Sequence, residues 1–145
     1  MKEERSIRIG HSMAEVASAL DQAEDWLGEM NAPQKAHYFV SLAIEELATN
    51  WIKYGCQDAD EHFLIFHLSL CGDRVSLQAR DDGVPFNPLD VPEPSTTLPP
   101  EDREIGGLGI LLLRKMADHM SYEHRDGCNI LTLEKNCPTS DHEQT

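Results

Sequence analysis

The sequence predicts an α+β fold, a two-layer α/β sandwich whose mixed, mostly antiparallel sheet carries its helices on one face. Three observations predict it. Segments alternating apolar and polar residues stand apart from segments with a helical repeat of three to four. Their order along the chain is β-α-α-β-β-loop-α-β-β. No internal repeat or linker divides the 145 residues, a length that can bury a real core in one domain, expected over residues 1–136 with a polar tail at 137–145.

Glu4 to Ile9 is a short strand with Ile7 and Ile9 on one face. Ser12 followed by Glu15 forms a capping box, so a helix begins there and continues to about Met30. Asn31-Ala32-Pro33 breaks it, and a second helix runs from about Gln34 to Tyr54, with Gly55 where a left-handed cap belongs. On a wheel of about 100° per residue, Phe39, Val40, Ala43, Ile44, Leu47, Trp51 and Tyr54 share one side of this helix. Two polar residues break that stripe. Glu46 and Asn50, one turn apart, sit at its edge, while Glu45 points into solvent. A half-buried carboxylate and carboxamide need partners. Either Glu46 bridges to another element, or the pair faces a ligand, with Asn50 binding a hard cation and Glu46 handling a proton.

His62 to Leu70 alternates, with Leu64, Phe66, Leu68 and Leu70 on one face. Cys71-Gly72-Asp73 is a hairpin turn, and Arg74 to Asp81 is the returning strand with Val75, Leu77 and Ala79 inward. Strand parity sends Asp81 to that same inner face. A carboxylate there is costly unless something donates to it. An adenine amino group would serve, and Gly83 would let the backbone approach a flat ring; the plainer alternative is an Asp-Asp-Gly turn.

Residues 87–105 hold five prolines and show no period, the mark of a lid loop or of disorder. Gly106-Gly107-Leu108-Gly109-Ile110 opens an apolar helix expected from Leu108 to Met120. Glycines at a helix N-terminus either cap it or leave N–H groups free for phosphate oxygens. Neither a Walker motif nor a dinucleotide fingerprint is present, since no Gly-Lys-Ser/Thr follows and the turn does not follow a strand. Tyr122 to Arg125 and Asn129 to Lys135 form a last hairpin around Asp126-Gly127.

Composition excludes several classes. A net charge of −14 argues against nucleic acid and favours a basic protein partner or high solubility. No apolar run is long enough for a membrane span, and the N-terminus lacks a signal peptide's apolar core, so a cytoplasmic protein is expected. Cys56, Cys71, Cys128 and Cys137 make no CxxC pair and read as reduced thiols. The seven histidines show no metal spacing.

Taken together, ExxxN on a helix, DxGxPF after a strand and GGLGI opening a helix make an ordered set. In this the chain resembles the GHKL ATPase superfamily, the Bergerat ATP-binding fold of histidine kinases and gyrase B. ELATNWIKYG (Glu46 to Gly55) is similar to that family's N-box, Asp81 to Phe86 to its first glycine box, and Gly106 to Ile110 to its second. The stand-alone size and the Glu-Leu-Ala-Thr-Asn run most resemble the anti-sigma factor serine/threonine-protein kinases. The resemblance implies ATP and Mg2+ as ligands and a STAS-domain anti-sigma antagonist as substrate. It also implies a sigma factor or other regulator as partner, and a homodimer.

Residue by residue, it implies Glu46 as general base, Asn50 as magnesium ligand and Lys53 as a cation near the phosphates. Asp81 would take the adenine amino group with Gly83 beside the base. Gly107, Leu108 and Gly109 would lie at the phosphates, and Arg103, by position, would reach the γ-phosphate. Gly127-Cys128-Asn129 departs from the Gly-Thr common before the last strand, which bears on the adenine side. Two functions are therefore carried forward: a protein kinase, and an ATP-binding module that sequesters a regulator without phosphorylating it.

Overall fold

The computed structural model describes residues 2–55, 61–90 and 107–138. Arg103, Gly106, most of the proline-rich loop, Cys56 and the polar tail beyond residue 138 lie outside the described residues. Five strands and three α-helices follow the expected order. They are β1 (Lys2–Ile9), α1 (Met13–Glu29), α2 (Gln34–Asn50), β2 (Leu64–Cys71), β3 (Arg74–Asp81), α3 (Gly107–Met116), β4 (His119–Arg125) and β5 (Cys128–Asn136).

The sheet runs β1-β2-β3-β5-β4. Every pairing is antiparallel, so the parallel component that a mixed sheet would require is absent among the described strands. The register lines up inward residues in rows across the sheet. One row runs Ile7, Phe66, Ala79, Leu131, Tyr122; the next runs Ile9, Leu64, Asp81, Asn129, His124. Against this face pack Val16, Ala19, Ala23 and Leu27 of α1 and Ala36, Phe39, Val40, Ala43, Ile44 and Leu47 of α2, in one continuous core. The stripe is the one expected from helical spacing over Phe39, Val40, Ala43, Ile44 and Leu47, and Trp51 beyond it is buried as well; the side chain of Tyr54 lies outside the described residues. Exposed Glu45 lies opposite it. Asp126 and Gly127 turn the β4–β5 hairpin with φ of 55° and 77°, a backbone that Asp tolerates and Gly adopts freely.

Several local expectations differ; besides strand ends that shift by one to three residues, four bear on how elements begin and end. Ser12 makes no side-chain cap bond, and the Glu15 carboxylate accepts from the Gly10 N–H at 3.0 Å rather than from Ser12. Strand β2 begins at Leu64 rather than His62; the preceding Phe63 N–H donates to the Asp82 carboxylate at 3.1 Å instead of joining the sheet ladder. Helix α2 ends at Asn50 and widens into a π-helical turn over Trp51–Gly55. His11 meets that turn, its Nε2 donating to the Ile52 carbonyl at 2.8 Å and its ring standing edge-on to Trp51. Finally, α3 stops at Met116, not Met120. Lys135 donates to the Met116 carbonyl at 2.9 Å and the Asp118 N–H to Glu134 at 2.9 Å, which pulls the chain into β4, where Met120 pairs with Leu133.

Candidate functional site

A cavity of about 260 Å³ opens between α2, the inner face of the sheet and the start of α3. Its walls are mostly apolar: Leu47, Trp51, Leu64, Ala79, Val84, Pro85, Phe86, Pro88, Ile110 and Leu131. Four polar side chains converge on it, those of Asn50, Asp81, Tyr122 and Asn129. The volume lies just below the roughly 300–1,000 Å³ of sites for drug-sized ligands, and so suits a flat base rather than a whole nucleotide.

Strand parity brings Asp81 to this cavity as expected. Its carboxylate is not bare: Oδ1 accepts from the Gly83 N–H at 2.8 Å and from Asn129 Nδ2 at 3.1 Å. Burial pushes the Asp81 carboxyl above the usual carboxylate range and the Asp82 charge adds to this, while the Asn129 and Gly83 donors and His124 work against it. The need for an outside donor, inferred from sequence, is therefore partly met within the protein. Oδ1 has its donors; a ligand amino group would find Oδ2.

Asn129 is the residue that sequence reasoning noticed only as a departure. It is 6% exposed and lies directly opposite Asp81 in the β3–β5 register. Besides Asp81, its Nδ2 donates to the Val84 carbonyl at 2.9 Å, and its Oδ1 accepts from the Phe86 N–H at 3.1 Å and from the Tyr122 hydroxyl. Burial raises the Tyr122 pKa. The signal that could have found Asn129 is the one used for Asp81: Asn129, Leu131 and Leu133 alternate, and a polar residue at the head of an inward row needs a reason.

Glu46 and Asn50 are both half-buried on α2. Asn50 lines the cavity. Glu46 points instead at α3, where its carboxyl group fills the space in front of Gly109. Burial raises the Glu46 pKa, Glu45 adds to the rise and Lys53 opposes it. Lys53 itself is exposed on the π turn. Gly107, Leu108 and Gly109 open α3, as the glycine cluster implied.

The fit to a nucleotide can be tested on these residues. A Cβ at Gly109 would meet the Glu46 carboxyl, so the first turn of α3 and that carboxyl lie against each other beside the cavity. The buried Trp51 indole N–H has no hydrogen-bond partner among the described residues. No group of three His, Cys, Asp or Glu able to hold a metal exists among the described residues. A magnesium ion here would rest on Asn50, with phosphate oxygens and water completing its shell, as that ion commonly does. Base-sized cavity, inward carboxylate, amide oxygen and helix N-terminus all fit ATP. No helix among the described residues is long and apolar enough to cross a membrane.

Known proteins resemble this chain in sequence. BtrW, a serine/threonine-protein kinase of Bordetella bronchiseptica, is 30% identical over 101 residues, which make up 68% of this chain and 70% of that protein. Anti-sigma F factors from two strains of Clostridium perfringens are 28% identical over 99 residues, 66% of this chain and 70% of theirs. A family model for the histidine kinase-like ATPase domain matches residues 11–135, a span that includes α2, the cavity and α3. The chain therefore belongs to the histidine kinase-like ATPase family, with distant kinship to serine/threonine-protein kinases and anti-sigma factors.

Proposed function

We propose that this domain is an ATP- and magnesium-dependent serine/threonine-protein kinase of a bacterial partner-switching pathway. Its substrate would be a STAS-domain anti-sigma antagonist, and its second partner a sigma factor or other regulator held inactive in the cytoplasm. The observation that carries the reading is one arrangement on α2. Asn50 faces the cavity that Asp81 enters, while Glu46, one turn earlier, faces the N-terminus of α3. Phosphoryl transfer is mostly positioning and charge neutralisation, and these residues are spaced for it.

In this reading Asp81 accepts the adenine amino group and Asn50 holds the metal. Lys53 and the α3 N-terminus, including Gly107 and Gly109, meet the phosphates. Glu46 takes the proton of the substrate hydroxyl. Its burial-raised pKa makes it a better base than a solvated carboxylate, since a proton acceptor works best near the operating pH. Strand β1 is outermost in the sheet, where it could pair across a two-fold axis in a homodimer.

The test is incubation of the full chain with labelled ATP, magnesium and a purified STAS-domain protein. Label on a serine or threonine of that protein, lost in Glu46→Gln while nucleotide binding persists, supports the kinase. Tight ATP binding without transfer supports the second reading, a sequestering module for which ATP is a structural ligand. The observation favouring that alternative is Asn129, which occupies the adenine side where related domains commonly carry Gly-Thr.

A further inference from the structure

We propose that Asn129 is a positioning residue for nucleotide selectivity, acting through Asp81 without touching the base. The inference rests on the reading of Asp81 as the acceptor of an adenine amino group. Its evidence is the set of partners around one buried amide. Asn129 Oδ1 faces two donors, the Phe86 N–H and the Tyr122 hydroxyl. Nδ2 faces acceptors, Asp81 Oδ1 at 3.1 Å and the Val84 carbonyl at 2.9 Å. The opposite amide orientation would set donors against donors and an oxygen against a carboxylate, so the partners choose the orientation.

All the strong hydrogen-bonding capacity of the amide is therefore spent on protein groups, leaving none for a ligand. Two consequences follow. First, Asp81 Oδ1 is saturated by Gly83 and Asn129, so the carboxylate cannot rotate without losing two donors, and Oδ2 is the acceptor left to the cavity. That acceptor welcomes the amino group of adenine and repels the keto oxygen of guanine. Second, the same amide ties Val84 and Phe86, which form a wall of the cavity, to β5 and through Tyr122 to β4. One side chain thus holds both the polar reader of the base and the loop that packs beside it. A residue in this place with a shorter side chain, such as threonine, could not span Asp81, Val84, Phe86 and Tyr122 together.

The experiment measures dissociation constants for ATP and GTP on the full chain and on Asp81→Asn, Asn129→Leu and Tyr122→Phe, with thermal midpoints recorded on the same samples. The parent should prefer ATP, and Asp81→Asn should erase the preference. Asn129→Leu should weaken ATP about tenfold and GTP less than twofold, so that the selectivity ratio falls. A loss of about 1.4 kcal/mol corresponds to that tenfold change. Tyr122→Phe removes one donor and leaves the fold; it should lower the ratio about threefold, and it decides the matter alone should Asn129→Leu not fold. A merely structural role would weaken both nucleotides together and leave the ratio unchanged. If the parent prefers ATP, Asp81→Asn abolishes the preference and the folded Asn129 and Tyr122 variants keep the parent ratio, Asn129 is not the positioning residue. If the parent shows no preference for ATP, the adenine reading of Asp81 fails, and this inference with it.

Discussion

The Glu46 carboxyl group lies against the Gly109 backbone: a Cβ built on Gly109 would stand 2.0 Å from Glu46 Cδ and Oε2 and 2.6 Å from Cγ. Two elements far apart in the chain, the fourth turn of α2 and the first turn of α3, thereby share one point. The absence of a side chain at Gly109, not an unusual φ, is what lets the Glu46 carboxyl sit there.

That contact makes Gly109→Ala informative. The clash falls on the end of a flexible side chain, so Glu46 can swing aside, and alanine suits a helix better than glycine by up to about 1 kcal/mol. The fold should therefore survive with its thermal midpoint little changed. Displacing Glu46, however, should cut phosphotransfer at least tenfold. Transfer at the parent rate in single-turnover assays would refute the idea that the observed Glu46 position matters. Glu46→Gln, which keeps the shape, should lose about 10²–10⁴-fold in transfer while binding ATP normally.

Asn50→Ala should remove the magnesium dependence of ATP binding. In the parent, ATP and magnesium at a hundredfold above the dissociation constant should add about 2.7 kcal/mol of stability. For a domain of this size that corresponds to roughly 8–11 °C in a thermal shift assay. Chelating the metal should remove most of the shift in the parent and change nothing further in Asn50→Ala. A variant that keeps the full magnesium-dependent shift would rule out Asn50 as the metal ligand.

Asp81→Asn separates recognition from folding. Burial raises the Asp81 pKa, so the folded protein holds this proton more tightly than the unfolded chain does. The stability linked to that proton is fully present below the unfolded value, about 3.9, and is lost as pH rises through the raised folded value. The neutral variant escapes this loss. Urea titrations should show its advantage over the parent growing with pH across that window, then levelling off. Glu46, also raised, is common to both proteins and cancels in the difference. Meanwhile ATP should bind about 1.5–3 kcal/mol more weakly, the worth of a hydrogen bond to a charged group. Should the variant unfold while its folded fraction binds ATP normally, Asp81 is a structural turn residue.

His11→Ala tests what holds the π turn after Asn50. The substitution removes the bond to the Ile52 carbonyl and the edge-on contact with Trp51. It should cost about 0.5–2 kcal/mol in denaturant titration, with faster amide exchange across the turn. Unchanged exchange at Trp51–Lys53 would mean that the turn holds without His11.

Much of the fold was legible because its causes are local. The α2 stripe, the alternation of β2 and β3 and the glycines before α3 each follow from residues a few positions apart, and each produces the element that its period demands. The parity of β3 alone aims Asp81 at the cavity. Element ends were less legible, since they depend on distant partners. Gly10 takes the carboxylate of Glu15 that the capping box assigned elsewhere, and Lys135 closes α3 four residues early.

By itself, then, the sequence determined the order of elements, the inward side of each, and the three motifs that mark a nucleotide site. Only the tertiary structure decided which polar groups meet. Sheet register sets Asn129 opposite Asp81, and packing of α3 on α2 sets Gly109 under Glu46. The physical reason is one of range. Periodicity records how a residue faces its own element, whereas a hydrogen bond across strands depends on a register fixed by the whole core.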